Sequence, residues 1–307
     1  MSAAPDLHPR EEAGPGERGP GTDSDIERRL AEAIDPWLQH MRWRKDFSAW
    51  RDRRIHQEQD QGNNLRDVRS ALGGRFADKK LLDLGAGMGG LTVAMMREFI
   101  PLGLRIEAID YNSDYCRIAR LRALRYGLNM PIVEAAGEHL PYGNAEFDAV
   151  VCLDVLEHVA DAEAVLNEIY RVLKPGGVAL TTVPNRHAFR DPHYHLPLIN
   201  WLPRSIGEIV LRRMGRSKEG GPLQDRQGLS DLNTYSWGAF RRLASGVGFA
   251  VRDQVLHRIT RGEVRQLRGW RRRVLNLAMQ SGIVPPVYRV YRYGWEGTYQ
   301  IMLRKPL

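Results

Sequence analysis

The stretch Leu81-Leu82-Asp83-Leu84-Gly85-Ala86-Gly87-Met88-Gly89-Gly90 decides how the rest of the chain is read. An apolar strand-like run carrying one acid, Asp83, enters a glycine-rich turn, and the apolar run from Gly90 to Glu98 suits a helix. A strand that delivers its end into such a turn opens a crevice where backbone N–H groups and a helix N-terminus meet a ligand. A Cβ at those glycines would hold the ligand away from the backbone.

Outward from this turn, strand-like and helix-like runs alternate. Strands are expected at Lys80–Leu84, Arg105–Ile109, Pro131–Glu134, Ala149–Leu153 and Val178–Val183, with helices at Gly90–Glu98, Asp114–Tyr126 and Ala162–Leu173 between them. Such alternation implies a parallel sheet covered by helices on both faces. Lys174-Pro175-Gly176-Gly177 stops the last of these helices. Ser236 is placed to cap a helix over Trp237–Ser245, ended by Gly246-Val247-Gly248. Phe249–Leu256 and Thr298–Arg304 read as two further strands, seven in all.

The 307 residues are 43% hydrophobic, enough for one large α/β domain with additions. Residues 1–25 are rich in Pro, Gly and charge without apolar periodicity and read as a disordered tail, lacking the build of a secretory signal. Residues 26–72 read as a helical cap, continuous from 26 to 60, with a break at Gln61-Gly62-Asn63-Asn64 and a short helix over Leu65–Leu72. Its aromatic stripe of Trp37, Met41, Phe47 and Trp50 either packs on the main domain or forms a flap over the site or against lipid. Two cysteines, Cys116 and Cys152, give neither a disulfide framework nor a zinc site, which points to a reducing, cytoplasmic compartment. No apolar run reaches the length of a membrane span. A net charge of +8 favours anionic partners without choosing among them.

The strand ends collect the chemistry. The first delivers Asp83 and Gly85-Ala86-Gly87. The second delivers Asp110 and Tyr111, an acid about 20 residues past the glycines, where a carboxylate suits a ribose diol. The third runs into Gly137-Glu138-His139-Leu140-Pro141, and the fourth into Asp154-Val155-Leu156-Glu157-His158-Val159. With Glu146-Phe147-Asp148-Ala149-Val150 and Glu168-Ile169-Tyr170-Arg171-Val172-Leu173-Lys174-Pro175-Gly176-Gly177, this order over residues 80–185 resembles the class I S-adenosylmethionine-dependent methyltransferases. The nearest branch holds quinone-ring C-methyltransferases and sugar and natural-product O-methyltransferases.

The resemblance implies a Rossmann-like seven-stranded α/β fold with the helical cap, a core at 73–187, an acceptor-side lid insertion at 188–235, and a C-terminal part of the sheet at 236–307. It implies S-adenosyl-L-methionine as cofactor. Gly85, Ala86 and Gly87 would hold its methionine half, with Asp83 orienting the loop. Asp110 would bind the ribose, Tyr111 would lie on the adenine, Gly137 and Glu138 would line the adenine edge, and Asp154 and Val155 would sit beside the sulfonium. Relatives place an Asp where this chain has Ala136, two residues before Glu138. Asp148 and the Glu157-His158 pair are read as structural, since relatives carry them whatever their acceptor.

Acceptor choice falls on the cap and on Phe189-Arg190-Asp191-Pro192-His193-Tyr194-His195. On an extended chain His193 and His195 point the same way. One of them is then either the base or an acceptor ligand, the alternatives being a structural loop or, with Asp191, a metal site. No metal ligand set is assigned. Residues 205–232 read as a lid without a clear core face. Between the last two strands, at about 262–295, Val264, Leu267, Trp270, Val274 and Leu277 form one stripe of a basic helix. Val284-Pro285-Pro286-Val287-Tyr288-Arg289 follows, a pattern suited to an anionic membrane surface or to docking on the domain. The expected function is methyl transfer to a small or lipid-linked acceptor at a hydroxyl (sugar, polyketide or prenylated ring). A quinone-type C-methyltransferase and a cofactor-binding but catalytically silent partner in a biosynthetic complex are the alternatives. Nucleic acid is disfavoured, because no Asn-Pro-Pro-Tyr-like motif and no RNA-binding module is present.

Overall fold

A computed structural model describes residues 20–42, 44–215, 228–260 and 284–307. The first nineteen residues of the expected tail, the stripe from Val264 to Leu277 and the middle of the expected lid lie outside the described residues. Within them, α1 (Pro20–Leu38), α2 (Phe47–Ile55) and α3 (Gly62–Ala71) precede β1 (Lys80–Leu84). Then come α4 (Gly90–Phe99), β2 (Arg105–Asp110), α5 (Ser113–Leu124), β3 (Ile132–Glu134), β4 (Phe147–Cys152), α6 (Ala162–Val172) and β5 (Leu173–Pro184). The chain continues through α7 (Arg204–Arg213), α8 (Trp237–Val247), β6 (Ala250–Asp253), α9 (Gln254–Thr260), α10 (Val284–Gly294) and β7 (Thr298–Arg304).

The strands form one seven-stranded sheet in the order β3-β2-β1-β4-β5-β7-β6. The first five are parallel, and β7 runs antiparallel between β5 and β6. Successive side chains on a strand face opposite ways. Leu82 and Leu84 accordingly pack with Leu166 and Ile169 of α6 and Phe240 of α8, while Leu81 packs with Val93 and Met96 of α4 and Ala119 of α5. Both faces of the sheet are therefore dry, as a parallel sheet requires. Local chemistry sets the helix starts. Asn112 accepts from the N–H of Asp114 and Tyr115, Asp161 from those of Glu163 and Ala164, and Ser236 from that of Ala239.

Several expected boundaries move. The continuous helix over 26–60 is α1, a turn and α2, joined by the bidentate pair of Arg51 with Asp35 at 2.5 and 2.7 Å. Its aromatic stripe packs inward, with Trp37 against Ile118, Leu121 and Met88. The break expected at Gly62 is the first residue of α3. The strand expected over Phe249–Leu256 stops at Asp253, whose Oδ1 accepts the N–H of Leu256 and starts α9. Lys174-Pro175-Gly176-Gly177 lies within β5 as a bulge: Phe147 pairs with Leu173 and Ala149 with Val178. The described part of the lid has a core after all, with Leu211 of α7 buried with Tyr194, Ile199, Leu229 and Leu232.

One buried carboxylate ties the N-terminal segments to the end of α5. Glu58 accepts from Arg122 at 2.5 Å, Arg125 at 2.7 Å and the Tyr126 hydroxyl at 2.8 Å, and the side chains of Glu58 and Arg122 are fully buried. No helix among the described residues is long and apolar enough to cross a membrane. Half of α10 packs inward: Tyr293 stacks on Trp237 with centroids 4.9 Å apart, while Val290 and Tyr291 face outward.

Candidate active site

In an open parallel sheet the ligand crevice forms where the strand order reverses, beyond the C-terminal ends of the strands. That point lies between β1 and β4, and a cleft of about 890 Å³ opens there. Asp83, Gly85, Ala86, Gly87, Asp110, Tyr111, Gly137, Glu138, Asp154 and Val155 all line it, with Ala136 beside them. Trp37, Arg54, Gln57, Gln61 and Asn64 of the N-terminal segments close one side.

The glycine turn is shaped by its neighbours. Gly85, Gly87 and Gly89 adopt φ of +73°, +54° and +77°. A Cβ at Gly85 would overlap Val155 Cγ2, and one at Gly89 would stand 2.9 Å from Ala119 Cα, so both positions exclude a larger residue twice over. The N–H groups of Gly85 and Ala86 both donate to Ile109 O at 2.9 Å, and that of Gly87 to Asp110 Oδ2 at 2.7 Å. These three donors are thus spent inside the protein, while the three residues themselves line the cleft. The donors left to a ligand are those of the first turn of α4, which has no side-chain cap.

Asp110 does more than the ribose reading asked of it. Its second oxygen accepts the N–H of Asn112 at 2.9 Å, so one carboxylate ties the turn after β1 to the end of β2. Burial raises its pKa, opposed by these two N–H groups. Asp83 is buried behind the turn with Thr92 Oγ1 donating to it at 2.6 Å, and burial pushes its carboxyl up to about 7. Asp154 holds φ +56° at the mouth of β4, and its carboxylate accepts from Thr182 Oγ1 at 2.8 Å. A non-glycine residue in that region stores strain, a common property of functional loops.

The two candidate histidines part company. His193 lines the cleft and His195 does not. Asp191 Oδ1 accepts the N–H groups of His193 at 2.9 Å and Tyr194 at 2.7 Å, which turns the chain. His195 then takes φ +54° and its N–H donates to Asp191 O. The extended-chain premise fails, and with it the shared direction of the two rings. Asp191 is occupied with this turn, and among the described residues no group of three His, Cys, Asp or Glu is arranged to hold a metal ion.

His193 meets two residues read from sequence as structural. Its Nε2 lies 3.9 Å from Glu157 Oε1, and its ring stands edge-on to His158 at 5.8 Å between centroids. Glu157 is buried, its Oε2 has no hydrogen-bond partner among the described residues, and burial, then the charge of Asp154, pushes its pKa up to about 8. Asp148 keeps its structural role away from the cleft, accepting from Lys80 N–H and Lys174 Nζ.

The raised carboxyls set a pH dependence. Between the usual 4.5 and about 8, folded Glu157 holds a proton that the unfolded chain has released, so unfolding free energy falls as pH rises across that window. The melting temperature is expected to drop from pH 5.5 to 8.5, and Glu157→Gln is expected to flatten that drop. An equal drop in the variant would place the proton elsewhere, Asp83 and Asp110 being the other carboxyls that burial raises.

Comparison with known proteins agrees with this architecture. Residues 82–181 match the family described as Methyltransferase domain. The chain is 32% identical over 140 residues to the ubiquinone biosynthesis O-methyltransferase of Erwinia tasmaniensis, covering 45% of this chain and 52% of that one. It is 36% identical over 116 residues to that of Klebsiella pneumoniae, covering 38% and 46%. The matched part spans about half the length of these curated relatives. A candidate sarcosine dimethylglycine methyltransferase from Galdieria sulphuraria has the same fold, with a TM-score of 0.50 and 18% identity over 92% of this chain and 98% of that one. With the seven-stranded sheet and the glycine turn in place, residues 82–181 form a methyltransferase domain, set in the fold that S-adenosylmethionine-dependent methyltransferases of class I share.

Proposed function

We propose that the cleft binds S-adenosylmethionine and that the chain methylates a hydroxyl on a small, ring-bearing or lipid-linked acceptor, with His193 taking the acceptor proton. The residues present suit that cofactor. The glycine turn leaves room, the uncapped start of α4 offers N–H groups, Asp110 offers a carboxylate to the ribose, and Glu138 and Tyr111 flank the adenine position. Bound there, the cofactor supplies a methyl group on a sulfonium, a good leaving group.

The protein's remaining work is alignment and proton removal. The observation that carries the reading is His193 in the cleft wall beside buried Glu157. An imidazole accepts a hydroxyl proton near neutral pH. Once ionised, as pH rises through its raised pKa, Glu157 stabilises the imidazolium that results, and its burial keeps that interaction strong. The names of the curated relatives, which are O-methyltransferases of ubiquinone biosynthesis, support an oxygen acceptor on a hydroxylated ring. A quinol carbon, the alternative acceptor, makes a different demand on the base. The N-terminal helices and the 188–235 segment form the acceptor side in this reading, and outward-facing Val290 and Tyr291 with Arg289 suit contact with an anionic lipid surface.

His193→Ala is expected to lower kcat on a hydroxylated-ring acceptor by about 10²–10⁴-fold, the usual share of general-base catalysis, with S-adenosylhomocysteine affinity within twofold. His195→Ala, off the cleft, is expected to stay near wild type. Turnover with labelled cofactor against a panel of catechols and hydroxylated prenyl phenols measures both. Full activity in His193→Ala on an O-methylated product would remove His193 from the mechanism.

A further inference from the structure

The cleft is walled by acids: Asp83, Asp110, Glu138 and Asp154 line it, and Arg54 is the one Lys or Arg among its described lining residues. Arg54 closes the last turn of α2, and the backbone of that turn is fixed. Its carbonyl accepts from Arg122 Nη2 at 3.1 Å, and the next carbonyl, of Ile55, accepts from Arg122 Nη1 at 2.6 Å. Its guanidinium is different from those around it. Arg51 is paired with Asp35, Arg44 and Arg53 with Asp46, and Arg122 and Arg125 with Glu58. The Arg54 side chain makes no hydrogen bond or ion pair with any described residue.

A half-buried guanidinium is costly to keep unpaired, because water is displaced and nothing replaces it. Burial lowers its pKa, and only the more distant charges of Tyr115 and Asp154 oppose that. The end of α2 favours a cation nearby, yet helix-end electrostatics supply no hydrogen bond to the five N–H groups of the fork. A carboxylate does, through two parallel bonds. A dianionic phosphate would face the four acids of the same wall, whereas a monoanion meets less repulsion.

We propose that Arg54 is the anion-recognising residue of the cleft and that a ligand bound productively there presents a carboxylate to it. This rests on the cofactor and acceptor reading above. Two carboxylates qualify chemically: that of the methionine half of the cofactor, and one carried by an acidic acceptor. Arg54 thereby discriminates carboxylated ligands from neutral ones of the same shape.

Calorimetry on the full chain, Arg54→Gln and Arg54→Lys separates these sources. The probes are S-adenosylhomocysteine against 5′-methylthioadenosine, which lacks the amino-acid carboxylate, and 3,4-dihydroxybenzoate against catechol. Arg54→Gln is expected to weaken at least one carboxylated probe by about 10–100-fold, as losing charged hydrogen bonds does, and to leave its neutral partner within twofold. Loss confined to S-adenosylhomocysteine assigns the cofactor carboxylate, and loss confined to dihydroxybenzoate assigns the acceptor. Arg54→Lys keeps the charge without the fork and is expected to fall between. Its melting temperature, with that of Arg54→Gln, shows that both variants fold.

Equal binding of all four probes by wild type and Arg54→Gln would overturn the proposal. So would wild type binding neither carboxylated probe. Failure of the wild type to bind either nucleoside, with an Arg54-dependent preference for dihydroxybenzoate over catechol, would overturn the cofactor reading and leave Arg54 standing.

Discussion

Glu58→Ala is expected to lower the unfolding free energy by about 3–5 kcal/mol, read by urea denaturation at neutral pH. The size follows from what would be left behind. Arg122 is fully buried, and Glu58 is the carboxylate that neutralises it. Without it a guanidinium stays in the interior with only the carbonyls of Met88, Ile55 and Arg54 as acceptors. Arg125 and Tyr126 lose a partner at the same atom. Burial alone would raise the Glu58 pKa, but the Arg122 charge and the hydrogen bonds it receives prevail and hold it below the usual carboxylate value. Its contribution is therefore complete at neutral pH and lost as pH falls through that lowered value, opposite in sign to Glu157. A loss under 1 kcal/mol would mean that the pair is no better than its desolvation cost. Double replacement of Glu58 and Arg122 by apolar residues of matching volume is expected to recover much of the stability, since the penalty is the stranded charge.

Asp110→Ala is expected to weaken S-adenosylhomocysteine binding by about 1.5–3 kcal/mol, roughly 10–150-fold, in a calorimetric titration. Two losses add in one variant. A carboxylate placed for the ribose disappears, and the N–H of Gly87 loses its acceptor, which frees the turn that shapes the methionine end. Asp110→Asn helps to part the two. An amide offers one oxygen, so only one of the Gly87 and Asn112 N–H groups can be accepted, and the other faces an NH₂ group. A melting temperature close to wild type with weakened binding would assign the effect to the ligand contact. Unchanged affinity in Asp110→Ala would refute the ribose role.

The parts of the fold legible in the residue order are those decided within one short segment. β1 and its turn announce themselves because the apolar run, the acid and the glycines are contiguous, and the φ values at Gly85 and Gly87 are ones that few other residues adopt. β7 is equally plain in the alternation from Thr298 to Arg304. β6 reads too long in the sequence because Val255 and Leu256 continue an apolar pattern, whereas the side chain of Asp253 ends the strand by accepting the N–H of Leu256. The same kind of local bond misled the reading of His195, where an Asp191 turn replaces extended chain. What was not legible at all is what forms between segments. Glu157 follows β4 and His193 follows β5, and no periodicity relates residues 36 apart along the chain. In the residue order Arg54 is one of several arginines from Arg42 to Arg54. Only the carboxylates that pair its neighbours single it out.

The antiparallel strand placed between β5 and β6 carries a consequence for synthesis. β7 is the last strand in order yet sits inside the sheet, with β5 on one side over seven residue pairs and β6 on the other over four. On the ribosome, a nascent chain that has already emitted the glycine turn and all five parallel strands still exposes the long unpaired edge of β5. β6 has no neighbour to join until residues 298–304 emerge. Open edges of this kind recruit other chains. Residues 298–304 are thus the stretch that closes the sheet, and translation products that stall before them are the species at risk of aggregation.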